Sequence, residues 1–290
     1  MIIKQIFTLL CVVFSLFCSE SIQNIISGLG ILSFGILHGA NDLKILSKKK
    51  LKNNSFLGLS FLAIYLGVVF LGIIIFYFIP GIALLTFVIV SCYHFGEQHW
   101  QDKIDYIKQP SLFYTFYGAT IFLLLFFFHN SEVENVIFEI SSVRIPFRIF
   151  KILLLSIGGV LLIFMFIKIK DFKFFLIEAI LLVILAILFW KGSLLFGFGL
   201  YFVLWHSVPS LNSQIKYLYG AKEHSPYKMY FKSAFLYWIL ALIILVSSYF
   251  FGSLPKDQYL SIFFSFLAAI TFPHVVVMGL MFHSHKHHSN

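Results

Sequence analysis

The chain has 290 residues, of which 60% are hydrophobic and 11% charged, and a formal net charge of +9. A soluble domain carries about 25% charged and roughly 45–50% apolar residues, so the composition excludes a soluble enzyme, a disordered tail and a collagen-like rod. The positive charge does not imply nucleic acid, because basic residues of polytopic proteins collect in cytoplasmic loops facing anionic lipid.

Mean hydropathy is +0.95, and a hydrocarbon core about 30 Å thick takes about 20 apolar residues per helical crossing. Ten apolar stretches can be cut, at approximately 4–19, 22–43, 56–79, 81–100, 111–129, 147–167, 172–190, 193–215, 230–251 and 258–283. The expected fold is an all-α integral membrane protein, one polytopic domain over residues 1–290, built as a bundle of about ten transmembrane helices. The first stretch has the outline of a signal peptide, but Leu16 and Phe17 do not suit its small-residue cleavage site, and it reads as a retained helix. Residues 133–142 read as an interfacial helix or a loop. Cys11, Cys18 and Cys92 lie in apolar runs, form no metal or redox spacing, and read as packing residues.

Charge sets the orientation. With the N-terminus inside and ten crossings, the inside holds Lys4, Lys44, Lys48, Lys49, Lys50, Lys52, Lys103, Lys108, Lys168, Lys170, Lys173, Lys216, Lys222, Lys228, Lys232 and Lys286. The outside holds Arg144, Arg148, Lys151, Lys191 and Lys256. That split predicts both termini inside. The acidic residues Glu132, Glu134 and Glu139 then fall outside.

Ionisable groups at membrane depth are costly, so each is a candidate functional residue. His38 and Asp42 end the second stretch, His94, Glu97 and His99 end the fourth, His206 lies in the eighth and His274 in the tenth. All four helices run from outside to inside in this topology, which places four histidines at one depth. Imidazoles converging from facing helices are how bundles build metal sites, and all-nitrogen sites suit iron, copper, zinc or nickel rather than magnesium or calcium. His38 and Asp42 are spaced i, i+4, so Asp42 is expected to orient His38 or to bind metal itself. His94 and Glu97 share a face, whereas His94 and His99 point about 140° apart on an unbroken helix. Pro209 is expected to disturb the helix beside His206. His129 reads as a boundary residue, His224 as a loop residue, and His283, His285, His287 and His288 as a solvated end or an accessory metal-binding tract. The 38 phenylalanines suit lipid contact or an aromatic tunnel for a polyene.

The segment Gly35-Ile36-Leu37-His38-Gly39-Ala40-Asn41-Asp42 resembles the first histidine motif of the Brp/Blh family of membrane-bound beta-carotene 15,15'-dioxygenases. Tyr93-His94-Phe95-Gly96-Glu97 resembles the second, Trp205-His206-Ser207 the third, and Pro273-His274 with the three valines after it the fourth. The likeness runs in order over most of the chain. It implies a non-haem Fe(2+) enzyme that cleaves beta-carotene with O2 at the central double bond, giving two retinal molecules as chromophore for a microbial rhodopsin. By the same likeness His38, His94, His206 and His274 are iron ligands. From the residues themselves, Asp42 and Glu97 are expected to hold imidazoles in place, with Ser210 and His99 as further residues around the ligands. Many members carry another histidine four residues after the third-motif one, and here that position is Ser210, which leaves the coordination number open. The implied setting is a bacterial inner (cytoplasmic) membrane, with the lipid bilayer as partner and no nucleic acid.

Three other readings compete. A desaturase or hydroxylase would carry dense histidine boxes, which are missing here apart from the terminal tract. A divalent-metal or proton transporter would use the same buried residues, but no inverted repeat is visible. A homologue that binds carotenoid without cleaving it is compatible with Ser210.

Overall fold

The computed structural model describes residues 2–50, 56–101, 103–104, 110–220, 224–251 and 259–286. Among these residues there is no strand. Lipid offers no hydrogen bonds, so the backbone of each crossing must satisfy itself, and a helix does this within one segment.

The helices are α1 (Ile2–Phe17), α2 (Glu20–Gly30), α3 (Asp42–Lys50), α4 (Phe56–Phe78), α5 (Pro80–Trp100), α6 (Ser111–Phe128) and α7 (Asn130–Ser141). They are followed by α8 (Phe147–Lys168), α9 (Phe172–Lys191), α10 (Leu194–Leu200), α11 (Val208–Tyr219), α12 (Pro226–Phe251) and α13 (Tyr259–Lys286). Among the described residues two π-helical turns interrupt them, π1 (Ile31–Gly35) and π2 (Tyr201–Ser207). Among the described residues, seven segments are long and apolar enough to cross a membrane: Pro80–Trp100, Ser111–Phe128, Phe147–Lys168, Phe172–Lys191, Leu194–Tyr219, Pro226–Ser247 and Leu260–Phe282. Ile2–Phe17 and Ala63–Phe78 are shorter apolar helices. The chain is therefore a multi-pass helical membrane protein. α7 is too short to cross, which settles the 133–142 segment as helix rather than loop.

One expected crossing differs. The stretch 22–43 is not a single helix, because helical backbone runs from Glu20 through π1 to Leu37 and then turns at residues 38–41 before α3. His38 and Asp42 consequently do not share a helical face. The turn itself is the short, mostly polar run His38-Gly39-Ala40-Asn41, and the hydropathy cut ran past it because the residues before it are apolar.

The chain forms two compact units. Unit 1 comprises Met1–Ile31, Val88–Phe138 and Val143–Ser207, and unit 2 comprises Leu32–Phe87, Glu139–Ser142 and Val208–Asn290. In unit 1, α6 packs on α8 and α9, α1 on α9, and α10 on α2, α6 and α9. Its interior includes Leu161, Met165, Leu181, Leu185, Leu188 and Phe189, all essentially without exposure. Gln23 joins the start of α10 to the α1–α2 turn: its Oε1 accepts from the Ser193 backbone N–H at 2.9 Å, and its Nε2 donates to the Cys18 carbonyl at 2.9 Å. In unit 2, α13 packs on α3, α4 and α12, α3 on α4, and α11 on α3 and α12. Its core gathers Ile45, Leu211, Ile215, Tyr230, Val277 and Met278.

Lipid tails are as apolar as leucine, so close packing rather than water exclusion holds such helices together. The tightest approach in unit 1 is reciprocal: a Cβ on Gly96 of α5 would overlap the Tyr114 carbonyl of α6, and a Cβ on Gly118 of α6 would overlap the Cys92 carbonyl of α5. Only glycine at both positions lets the two backbones touch.

Candidate metal centre

Each unit buries two of the four motif histidines side by side. In unit 2, His38 sits where the helix after π1 gives way to the turn, and His274 follows Pro273 inside α13. Their rings meet edge to face with centroids 4.7 Å apart. His38 Nδ1 donates a hydrogen bond to the Gly35 carbonyl. His274 Nδ1 donates to Asp42, with Oδ1 at 2.9 Å and Oδ2 at 3.1 Å. An N–H on Nδ1 leaves the lone pair of each ring on Nε2, the tautomer a metal ligand requires.

This corrects the expected role of Asp42, which holds His274 rather than His38. The i, i+4 argument assumed a continuous helix, and the turn at residues 38–41 places Asp42 at the start of α3 instead. The Tyr65 hydroxyl lies 3.4 Å from the second carboxylate oxygen.

Ser210 is fully buried in the same unit. Its Oγ accepts from Gln214 Nε2 at 3.1 Å. Gln214 Oε1 in turn accepts from the Tyr230 hydroxyl at 2.7 Å, and that hydroxyl lies 3.1 Å from the His38 carbonyl. Asn41 Nδ2 donates to the Tyr230 carbonyl at 3.1 Å and so pins the turn that carries His38. Tyr230 and Asn41 escaped the sequence reading because their contacts, Tyr230 with His38 and Asn41 with Tyr230, join residues distant in the chain; Gln214 lies only four residues from Ser210 and went unremarked.

In unit 1, His94 of α5 and His206 of π2 meet edge to face with ring centroids 4.7 Å apart. Phe95 stacks on His206 at 4.4 Å and Phe202 at 5.5 Å. His94 is 0% exposed, His206 2%, His38 4% and His274 5%, so all four rings are withdrawn from solvent. Glu97 accepts a hydrogen bond from the Tyr93 hydroxyl at 2.6 Å. The disturbance expected near Pro209 is π2, where the Ser207 hydroxyl donates to the Phe202 carbonyl at 2.9 Å.

α5 passes through Gly96 without a break, so His99 diverges from His94 and enters a different cluster. His99 Nε2 lies 2.9 Å from Glu178 Oε2, and Lys103 Nζ donates to Glu178 Oε1 at 2.7 Å. Burial pulls the Lys103 pKa below its ordinary value, and the Glu178 carboxylate opposes that shift. Glu178 went unremarked in the sequence, although a single carboxylate inside the apolar span Phe172–Lys191 is a signal in itself. His129 is held by Glu132 at 3.1 Å, as a boundary residue should be. The side chains of His283 and His285, and all of His287 and His288, lie outside the described residues, as do Lys52, Lys108, Lys222 and Lys256.

Fold and site define a polytopic helical membrane protein with buried imidazoles in pairs, two of them held in the tautomer that suits metal ligation. The sequence profile of the beta-carotene 15,15'-dioxygenase family matches residues 29–282, and the chain belongs to that family of carotenoid-cleaving oxygenases. The beta-carotene 15,15'-dioxygenase of uncultured marine bacterium 66A03 is 26% identical over 270 residues, covering 88% of this chain and 93% of that protein. No solved structure matches the chain.

Proposed function

We propose that the protein cleaves beta-carotene at its central 15,15' double bond with O2, giving two molecules of retinal, at a non-haem iron(II) held by His38, His94, His206 and His274. The observation that carries this reading is that the family match over residues 29–282 takes in all four histidines, while each unit buries two of them ring against ring. The donor set fits the metal. Neutral imidazoles suit iron(II), and the bonds of His38 to Gly35 and of His274 to Asp42 select the ligating tautomer. When bound, iron(II) would supply a redox-active centre for the reaction with O2. The protein's part is to orient the rings and to keep the surroundings dry, which Phe95 and Phe202 do for His206.

The overall reaction turns one double bond and one O2 into two aldehydes. It neither consumes nor releases a proton, so Asp42 and Glu97 are assigned to holding side chains rather than to acid–base steps. A hydrocarbon substrate dissolves in the bilayer, which places the enzyme in the membrane, here assigned to the inner membrane of a bacterium with retinal passing to a rhodopsin.

The test is expression in a bacterium that accumulates beta-carotene, with carotene and retinal separated by chromatography. Loss of colour and appearance of retinal are expected with the intact protein and not with His206→Ala. Unchanged carotene beside folded, iron-loaded protein would overturn the reading.

A further inference from the structure

Unit 1 contains a second buried polar cluster apart from the histidine pair. Glu178 has no exposure, and its two oxygens face His99 Nε2 at 2.9 Å and Lys103 Nζ at 2.7 Å. The Lys103 ammonium also lies 2.8 Å from His99 Nε2, and the Tyr117 hydroxyl lies 3.2 Å from the same nitrogen. Stability alone is a weak reason for such a cluster, since apolar groups of similar volume often replace buried ion pairs without loss.

Its contacts suggest another reason. The His99 ring is stacked on Tyr117 at 4.6 Å, and Trp205 lies against it with a centroid distance of 5.7 Å. Trp205 immediately precedes His206 in π2. The indole is tied down independently, with its N–H donating to Thr8 Oγ1 at 3.1 Å and the Lys4 ammonium 5.6 Å from the ring centre. A π turn departs from the regular helical hydrogen-bond register, so its side chains depend on neighbours for their direction. Phe95 and Phe202 support the faces of His206, and the Trp205 side chain fixes the backbone one residue away.

We infer that Glu178 is a positioning residue for the metal centre: it sets the tilt of His99, His99 seats Trp205, and Trp205 fixes the π turn that aims His206. The inference rests on the reading of His206 as a metal ligand. It makes α9, which supplies none of the motif histidines, part of what determines metal affinity.

The experiment uses the purified full chain in lipid nanodiscs, titrated with cobalt(II) as a visible-absorbing stand-in for iron, with thermal unfolding followed in parallel. Glu178→Gln is expected to weaken cobalt binding by about 10- to 100-fold, the range for groups that orient metal ligands, and to shift the absorption bands. Leu185→Ala, at a fully buried position of the same helix, is expected to lower thermal stability while leaving affinity and bands alone. His99→Phe keeps a ring between Tyr117 and Trp205 and leaves Glu178 paired with Lys103; the same loss of affinity is expected from it. Wild-type affinity and bands in His99→Phe, or a Glu178→Gln protein indistinguishable from Leu185→Ala, would overturn the inference. Unchanged cobalt binding in His206→Ala would instead overturn the metal-ligand reading beneath it.

Discussion

Asp42 carries the clearest division of labour at the residue scale. A carboxylate on the Nδ1–H of an imidazole fixes the tautomer, the ring orientation and the basicity of Nε2, and Asp42 does this for His274 with both oxygens within 3.1 Å. Asp42→Ala is therefore expected to lower iron affinity by about 10- to 100-fold, and Asp42→Asn, which can still accept from Nδ1–H but carries no charge, by less. Iron per protein after dialysis against graded chelator would measure both, and full occupancy in Asp42→Ala would sink the assignment. The sequence marked Asp42 as a supporting group but gave it the wrong histidine, because i, i+4 spacing has meaning only within a helix and the backbone turns at residues 38–41. The divergence of His94 and His99 was legible because α5 is regular throughout. The pairing of His99 with Glu178 was not, since 79 positions separate them and periodicity does not report such contacts.

At the scale of elements, two devices place the histidines. The first is the π turn, which runs into the motif containing His38, ending at its first residue, and recurs around His206. Such turns are frequent at functional sites, and Pro209 helps explain the second, because it has no N–H to give a regular helix. The other device is the glycine crossing of α5 and α6, which fixes the helix bearing His94. Gly96→Ala and Gly118→Ala each place a methyl inside a backbone carbonyl of the facing helix. Both are expected to prevent recovery of folded protein from the membrane, with at least a large drop in melting temperature. Gly159→Ala is the control: nothing lies within 4 Å of its Cβ position in α8, and the better helix propensity of alanine, about 1 kcal/mol, makes that change neutral or stabilising. Size-exclusion profiles and thermal melts would separate the two groups, and a well-folded Gly96→Ala protein would contradict the close crossing. The apolar stretches located most helix ends to within a few residues. The π turns stayed hidden because hydropathy records what a segment dissolves in, not its hydrogen-bond register.

The whole molecule must also choose an orientation, and charge is the argument for it. Sixteen of the 21 basic residues fall on one side when the N-terminus is inside and ten segments cross, as the preference for positive loops in the cytoplasm requires. The helical run 20–37 has about the length of one crossing at 1.5 Å per residue, so ending the second segment at His38 does not change the parity. α7, with Glu132 and Glu134 in its first half and Glu139 near its end, then lies at the outer surface between α6 and α8. A fluorescent protein that matures only inside the cell and a phosphatase active only outside it, each fused after Ser141, after Lys191 and at the C-terminus, would read the arrangement directly. Phosphatase activity is expected at the first two sites and fluorescence at the third. Adding lysines to the α7–α8 loop should lower the correctly oriented fraction, since short loops within about 15–20 residues of a span end carry the bias. Phosphatase activity at the C-terminus would reverse the orientation.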